Sequence, residues 1–398
     1  MRDATSLGRV GWLVLGSLVP LVLATIVGLV LLWPSEQAPQ VESGALVDAT
    51  VEAIEPCPDL PLEQCALARV TVTSGPDAGG VFVAGAPVGA GAPEVRVGDA
   101  VVLQSNLDAP PNERYVFVDF QRDRVLWALA AAFAVAVVVV ARWRGLAALV
   151  GLAASLGVLM VFVLPAVLAG SPPLWVATVG ASTIAIITMV TAHGFSLRTG
   201  VALLSTLLSL LLIAVLGAGV IEAGSFTGLA DESSTFLQAY LGTVDPRGLL
   251  LAGLVIGALG VLDDVTITQT AAVTEVAAAD PSLSRRALVE SGLRVGRHHV
   301  AATVNTLVLA YAGAALPLLL LFTLSGSGLG QVITNELVAQ EVVRTLVGAL
   351  GIVAAVPLTT ALAAGLLAPR PGRSAAPARG PREGLGATNA YPQGTDDQ

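Results

Sequence analysis

The sequence predicts an all-α polytopic membrane protein of about eight transmembrane helices, with a small extracytoplasmic β-barrel-like domain inserted between helices 1 and 2. Three observations predict it. Apolar residues make up 55% of the chain and charged residues only 12%, which leaves too little polar surface for a water-soluble globule of 398 residues. Eight apolar runs approach the roughly 20 residues that cross a hydrocarbon layer about 30 Å thick. Between the first and second runs, residues 34–124 change character to short alternating segments broken by Gly, Pro and Asp, the pattern of strands and turns.

The first run, residues 11–33, follows a cytosolic N-terminus (residues 1–10) carrying Arg2 and Arg9. It reads as a signal anchor, because Pro34-Ser-Glu-Gln-Ala-Pro is a poor cleavage site. In the next segment, Ala66–Val72, Val81–Val83 and Ala100–Leu103 read as strands, and Thr73-Ser-Gly75-Pro76-Asp77-Ala-Gly79-Gly80 as a turn. A compact barrel of five or six strands suits its length. Cys57 and Cys65 lie here, eight residues apart. In a segment outside the cytosol they favour a disulfide over two free thiols, and the spacing is not that of a redox-active pair.

Seven further spans complete the bundle, at residues 125–141, 145–168, 174–191, 201–220, 249–270, 301–322 and 343–367. Eight spans place both termini on one side. Arg2, Arg9, Arg142, Arg144, Arg198, Arg285, Arg286, Arg294, Arg297, Arg370, Arg373, Arg379 and Arg382 share that side, so it is cytoplasmic by the positive-inside rule. The loop 277–299 is then cytosolic, with Asp280-Pro281 as a helix start and Gly292 and Gly296 as a turn before the seventh span. Residues 368–398 read as a disordered cytosolic tail. The expected partners are the bilayer itself and anionic headgroups beside the Arg-rich cytosolic segments. A net charge of −9 without a basic face argues against nucleic acid. No His/Cys cluster has zinc spacing, and no metal or cofactor is expected. The glycine pairs, among them Gly253/Gly257, Gly217/Gly219 and Gly348/Gly351, read as sites of close helix contact within one chain.

The sixth span ends in charge. Asp263 lies about 24 Å along a helix that starts near Arg247. On such a helix Asp263, Thr266, Thr270 and Thr274 form one stripe, and Asp264, Thr268 and Glu275 a neighbouring one. Leu262, Val265, Ala272, Val273 and Val276 make the remaining side apolar apart from Gln269, and lipid is expected there. Ionisable groups at membrane depth are costly unless they face protein, water or a partner. An ion or proton path of Asp263, Asp264, Thr266, Thr270 and Asn305 is one expectation, with Asn305 of the seventh span bonded to Asp263 or a threonine. The competing one sets both aspartates at the interface, paired with Arg294, Arg297 or His298, and Glu275 among the same cytosolic groups.

Gly257-Ala-Leu-Gly-Val-Leu-Asp-Asp264, Glu275, Asp280-Pro-Ser-Leu-Ser284, Glu290-Ser-Gly-Leu-Arg-Val-Gly-Arg297 and the Asn305 to Pro317 stretch resemble the YibE/F-like family of bacterial membrane proteins. Thr73–Asp99 and Tyr115–Arg124 resemble that family's N-terminal portion. The family pattern has a single Asp after the last glycine of this motif, where this chain has two. The resemblance implies an integral membrane protein and supplies no activity or substrate. Three function classes therefore compete: a transporter or channel for a small cation or proton-coupled solute, a non-transporting scaffold or sensor whose β domain binds an envelope component or partner protein, and an intramembrane enzyme. The last is the weakest. Consecutive aspartates point about 100° apart and cannot form an aspartyl dyad, and Ser327 has every histidine at the opposite face.

Overall fold

A computed structural model describes residues 9–34, 44–58, 60–106, 109–110, 114–324, 326 and 328–367. The expected tail at 368–398 and most of the expected N-terminal segment lie outside them. Apolar composition produces helices α1 (Arg9–Leu31), α2 (Asp123–Val158), α3 (Leu164–Leu168), α4 (Pro173–His193), α5 (Leu197–Ala223), α6 (Glu232–Leu241), α7 (Pro246–Ala279), α8 (Arg285–Ala314), α9 (Leu316–Leu324), α10 (Leu329–Thr334) and α11 (Glu336–Leu367). Six helices among the described residues are long and apolar enough to cross a membrane, or seven if α8 and α9 count as one bent span.

The chain divides into two compact units. One contains the strands β1 (Leu46–Pro56), β2 (Ala66–Val72), β3 (Val81–Ala86), β4 (Ala100–Ser105) and β5 (Tyr115–Phe120), together with α2 and α3. The strands close a barrel in the order β1-β2-β3-β5-β4, with β3 and β5 parallel, a Greek-key arrangement of the oligonucleotide/oligosaccharide-binding type. Alternation places Val47, Ala49, Val51, Val70, Val72, Val101 and Leu103 inside. The β2–β3 turn needs positive φ at Gly75 and Gly79, which glycine adopts without a Cβ clash. Cys57 and Cys65 are joined by a disulfide, their Cα atoms 5.4 Å apart.

In the same unit, the expected spans 125–141 and 145–168 fall within one helical stretch broken at Arg142 (φ 54°, ψ −129°). A Cβ at Gly145 would lie 2.4 Å from the Val137 carbonyl oxygen. Residues eight apart in a straight helix are separated by about 12 Å, so the chain reverses at Arg142. Pro165, which has no N–H, follows a π-helical turn at Leu159–Val163 that relaxes the preceding ladder.

The second unit packs α1, α4, α5, α7, α8 and α11. Ser196 caps α5 by accepting the Thr199 amide, and Asp245 caps α7 by accepting that of Arg247, with Pro246 at the first helical position. Close approaches give the directions. Thr206 and Gly217 of α5 meet Thr266 and Leu251 of α7, so the two run antiparallel. Thr188 and Pro173 of α4 meet Asp263 and Gly248, which makes α4 parallel to α7. Along α8, Gly292, Gly296, His299 and Tyr311 meet Val273, Gln269, Thr268 and Gly257 in turn, so α8 lies antiparallel against α7 over most of its length.

Three expectations about this unit are corrected. The loop 277–299 is mostly helix: α7 runs on to Ala279, and Ser284, not Asp280, caps α8. Two hydrogen bonds from Ser282, first its hydroxyl and then its amide, hold the Asp280 carboxyl below its usual range. Gly292 and Gly296 do not turn the chain. They are buried inside α8, where an added Cβ would come within 2.8 Å of Thr360 and 2.4 Å of Val356. The kink that Pro317 gives the seventh span in the sequence is present, as a bend of 58° between α8 and α9, because Pro317 cannot donate a backbone hydrogen bond.

Candidate functional site

Helix α7 is buried around most of its circumference, and the Asp263 stripe is part of the buried side. Thr266, Gln269 and Thr270 are almost wholly inaccessible, as are Leu262, Val265 and Val273. The side expected to meet lipid is therefore packed in protein, because α5 and α11 cover it. The accessible side is instead Gly253, Gly257, Gly260, Asp264, Thr268, Ala271 and Glu275, spaced at three and four residues.

The Asp263 side chain is half-buried. Its Oδ2 lies 2.9 Å from Thr188 Oγ1 on α4. Its Oδ1 is inaccessible and has no hydrogen-bond partner among the described residues. No arginine or histidine among them forms an ion pair with Asp263, so the carboxyl lacks the cation that a buried charge ordinarily requires. One turn on, Thr266 Oγ1 is 2.6 Å from Thr206 Oγ1 of α5, and Thr266 also donates to the Asp263 carbonyl. Ser209 sits three residues beyond Thr206, as Asp263 sits three before Thr266, which puts them at one height in the antiparallel pair. The hydroxyls of Ser209, Thr270 and Thr359 are buried with no partner among the described residues. Other buried hydroxyls in these helices donate to the carbonyl four residues back, as Ser182 does to Thr178 and Ser205 to Val201.

Toward the Ala279 end the polar seam is closed. Gln269 Nε2 donates to the Gly292 carbonyl at 2.9 Å and to Thr360 Oγ1 at 2.7 Å, tying α7 to α8 and α11. Leu288 of α8 packs with Val201, Val273, Ala277, Ala363 and Ala364 just beyond.

A family model described as YibE/F-like protein matches residues 129–369, more than half of the chain. The chain belongs to that family. The match starts inside α2, so the barrel strands lie outside it. No curated protein and no solved structure matches.

In this YibE/F-like chain the two neighbouring aspartates have different surroundings: Asp264 is exposed while Asp263 is drawn into the helix packing. Asn305 is at the height of the aspartates on antiparallel α8 but exposed, on a face turned away from them, so it is no partner of Asp263. Glu275 pairs with Arg198 of α5 at 3.5 Å, and not with Arg294, Arg297 or His298. Arg294 donates to Ser291, and Arg297 and His298 are exposed. None of these makes an ion pair with either aspartate. His299, adjacent to the residue expected, lies 3.4 Å from Thr268. Thr188, Thr206 and Thr360 reach polar side chains of α7 and escaped the sequence reading. Their signal was hydroxyl residues inside the fourth, fifth and eighth apolar runs, which only helix pairing could connect to Asp263.

The Gly253/Gly257 pair does not bring two backbones together. A Cβ at Gly257 would meet the Tyr311 hydroxyl at 3.0 Å, and Gly253 faces the Arg344 guanidinium, which is itself paired with Glu341 at 2.5 Å. The glycines make room for polar heads instead.

Proposed function

We propose that the helical unit is a transporter or channel for a small cation or a proton-coupled solute, with Asp263, Thr188, Thr206, Thr266, Ser209 and Thr270 along its path. The observation that carries this reading is the Asp263 carboxyl, held between helices with one hydroxyl neighbour, one unpartnered oxygen and no balancing cation. A group placed so is expensive in a membrane span unless exchange is its role. Asp264 lies on the accessible face and serves as an approach to the path rather than its centre.

The membrane arrangement belongs to the same proposal. Counting the reversal at Arg142 as a hairpin of two spans, and α8 with α9 as one, gives eight crossings with both termini in the cytoplasm of a bacterial cell. The exposed Arg285, Arg286, Arg294 and Arg297, opposite buried Leu288, Gly292 and Gly296, support the first turns of α8 standing among anionic headgroups at the cytoplasmic end of the bundle. The barrel is then extracytoplasmic.

Purified protein in sealed vesicles, loaded with a pH or alkali-cation gradient, tests the reading. Asp263→Asn is expected to reduce flux to that of protein-free vesicles with yield intact, and Asp264→Asn to leave most of it. Unchanged flux in Asp263→Asn sinks the proposal. Absence of any flux, with loss of cellular function on altering barrel residues only, favours the scaffold or sensor.

A further inference from the structure

The identity of the exchanged species follows from counting hydrogen atoms at Thr188, and this step rests on the transport reading above. Thr188 Oγ1 lies 2.9 Å from the Ile184 carbonyl oxygen and 2.9 Å from Asp263 Oδ2. A hydroxyl carries one proton, and a carbonyl oxygen never donates. If Thr188 donates to Ile184, as Thr178, Ser182 and Thr183 of the same helix donate to their own carbonyls four residues back, it has no proton left for Asp263. A Thr188 proton shared among Ile184, Ala185 and Oδ2 makes one weakened three-centre bond, whereas two full hydrogen bonds form when Oδ2 is itself the donor. We infer that Asp263 is a proton-binding site, its carboxylic acid donating to Thr188, and that the ion exchanged along the α4–α5–α7–α11 seam is a proton and not a metal cation.

The rest of the surroundings agree. The neutral acid leaves Oδ1 as a carbonyl oxygen, whose missing partner costs far less than that of an ionised oxygen. A dehydrated alkali cation would need several oxygens converging on one point, yet Thr188, Thr206 and Thr266 already direct their hydroxyls to named acceptors or to each other. The titratable and charged groups that face α7 from its neighbours are few. On α4 the nearest is His193, five residues beyond Thr188; on α5 it is Arg198, occupied by Glu275. On α8 they are His299 against Thr268 and Tyr311 against Gly257, and on α11 the Glu341–Arg344 pair beside Gly253. Asp264 adjoins along the chain. None touches the Asp263 carboxyl. Release is simple heterolysis: the Oδ2–H bond breaks, its electron pair stays on oxygen, the proton leaves to water or to a co-transported solute, and Thr188 becomes free to turn its hydroxyl toward the new carboxylate. Thr188 is thus a positioning residue.

Infrared difference spectroscopy of the full chain in lipid vesicles across a pH titration tests this. A carbonyl-stretch band of a protonated carboxyl is expected to disappear on alkalinisation, to be missing in Asp263→Asn, to move in frequency in Thr188→Val and to return in Thr188→Ser. Addition of sodium or potassium at constant pH is expected to leave it in place. Asp263→Glu, which keeps an acid, is expected to retain a band. No Asp263-dependent band at any pH, or its removal by alkali cation at constant pH, overturns the proton assignment. The two readings fail separately. Flux that depends on Asp263 but follows a sodium gradient without the band leaves transport standing and removes the proton; flux untouched by Asp263→Asn removes transport whatever the spectra show.

Discussion

The barrel and the helical unit have opposite interiors. The barrel buries Val, Ala and Leu from four strands, and the fifth adds Tyr115, which sends its hydroxyl to Asp77 at 2.7 Å. The helical unit buries serines, threonines and two glutamines, Gln269 and Gln340. Two kinds of polar burial must be separated there. A hydroxyl donating to its own helix, such as Ser182 or Ser205, is satisfied locally and specifies nothing. A side chain reaching another helix, such as Gln269, Thr206 or Asp263, fixes which helices meet and at what height. The barrel keeps its register by strand pairing and can leave its core apolar. The helices, whose apolar side chains gain nothing over lipid tails, use small residues and cross-helix polar contacts.

Four experiments sharpen or break that contrast, beginning with the strongest effect. Gly296→Leu forces a side chain into the space of Val356 and beside Gln269, and is expected to cost about 3 kcal/mol or to abolish folded protein, read as yield and monodispersity in detergent. Reduction of Cys57–Cys65 releases a short loop and is expected to cost about 2–3 kcal/mol, confined to the barrel, read by hydrogen exchange of strand amides with and without reductant. Gln269→Leu removes both cross-helix bonds, while the Gly292 carbonyl keeps its backbone bond within α8. Its expected cost is about 1–2 kcal/mol in unfolding by denaturing detergent, and a cost near zero would show that α8 is held by apolar packing alone. Tyr115→Phe is expected to cost about 1 kcal/mol, because only one hydrogen bond goes and the ring packing against Phe82 stays. Should Tyr115→Phe prove costlier than Gln269→Leu, the division between the two interiors fails.

Tyr115 also gives the barrel a pH signature. Burial first, then the hydrogen bond to Asp77, pushes its phenol up to about 12 from an ordinary value near 10. A folded-state value above the unfolded one stabilises fully below pH 10 and is lost as pH rises toward 12. Barrel unfolding monitored by tyrosine absorbance is expected to become easier across that window, and Tyr115→Phe to flatten the profile.

Much of the architecture was legible in the residues because apolar length and alternation are local properties. Ala66–Val72 is a strand with the limits its alternation gives, and the membrane-length runs all lie in helices. The candidate site was half legible. Helical spacing alone separates Asp263, Thr266, Thr270 and Thr274 from Asp264, Thr268 and Glu275, and that division matches the buried and accessible faces of α7. Which face meets lipid was not local information. Leu262 and Val265 look like lipid contacts until α5 and α11 are laid over them. Asn305 shows the same limit: antiparallel pairing gives its height, and the rotation of α8 about its axis decides its surroundings. Thr188 was invisible because its importance comes from a residue 75 positions away.

The reversal at Arg142 bears on how the chain enters a bilayer. Arg142, Trp143 and Arg144 all stand exposed at the tip of a turn too tight to hold a loop, with Gly145 pressed against the returning backbone. Two guanidinium groups and an indole are the side chains that hold to the headgroup layer. On the eight-crossing arrangement proposed above, the two arms carry no loop across the bilayer, and their charged tip is a doorstop that sets how far they go in.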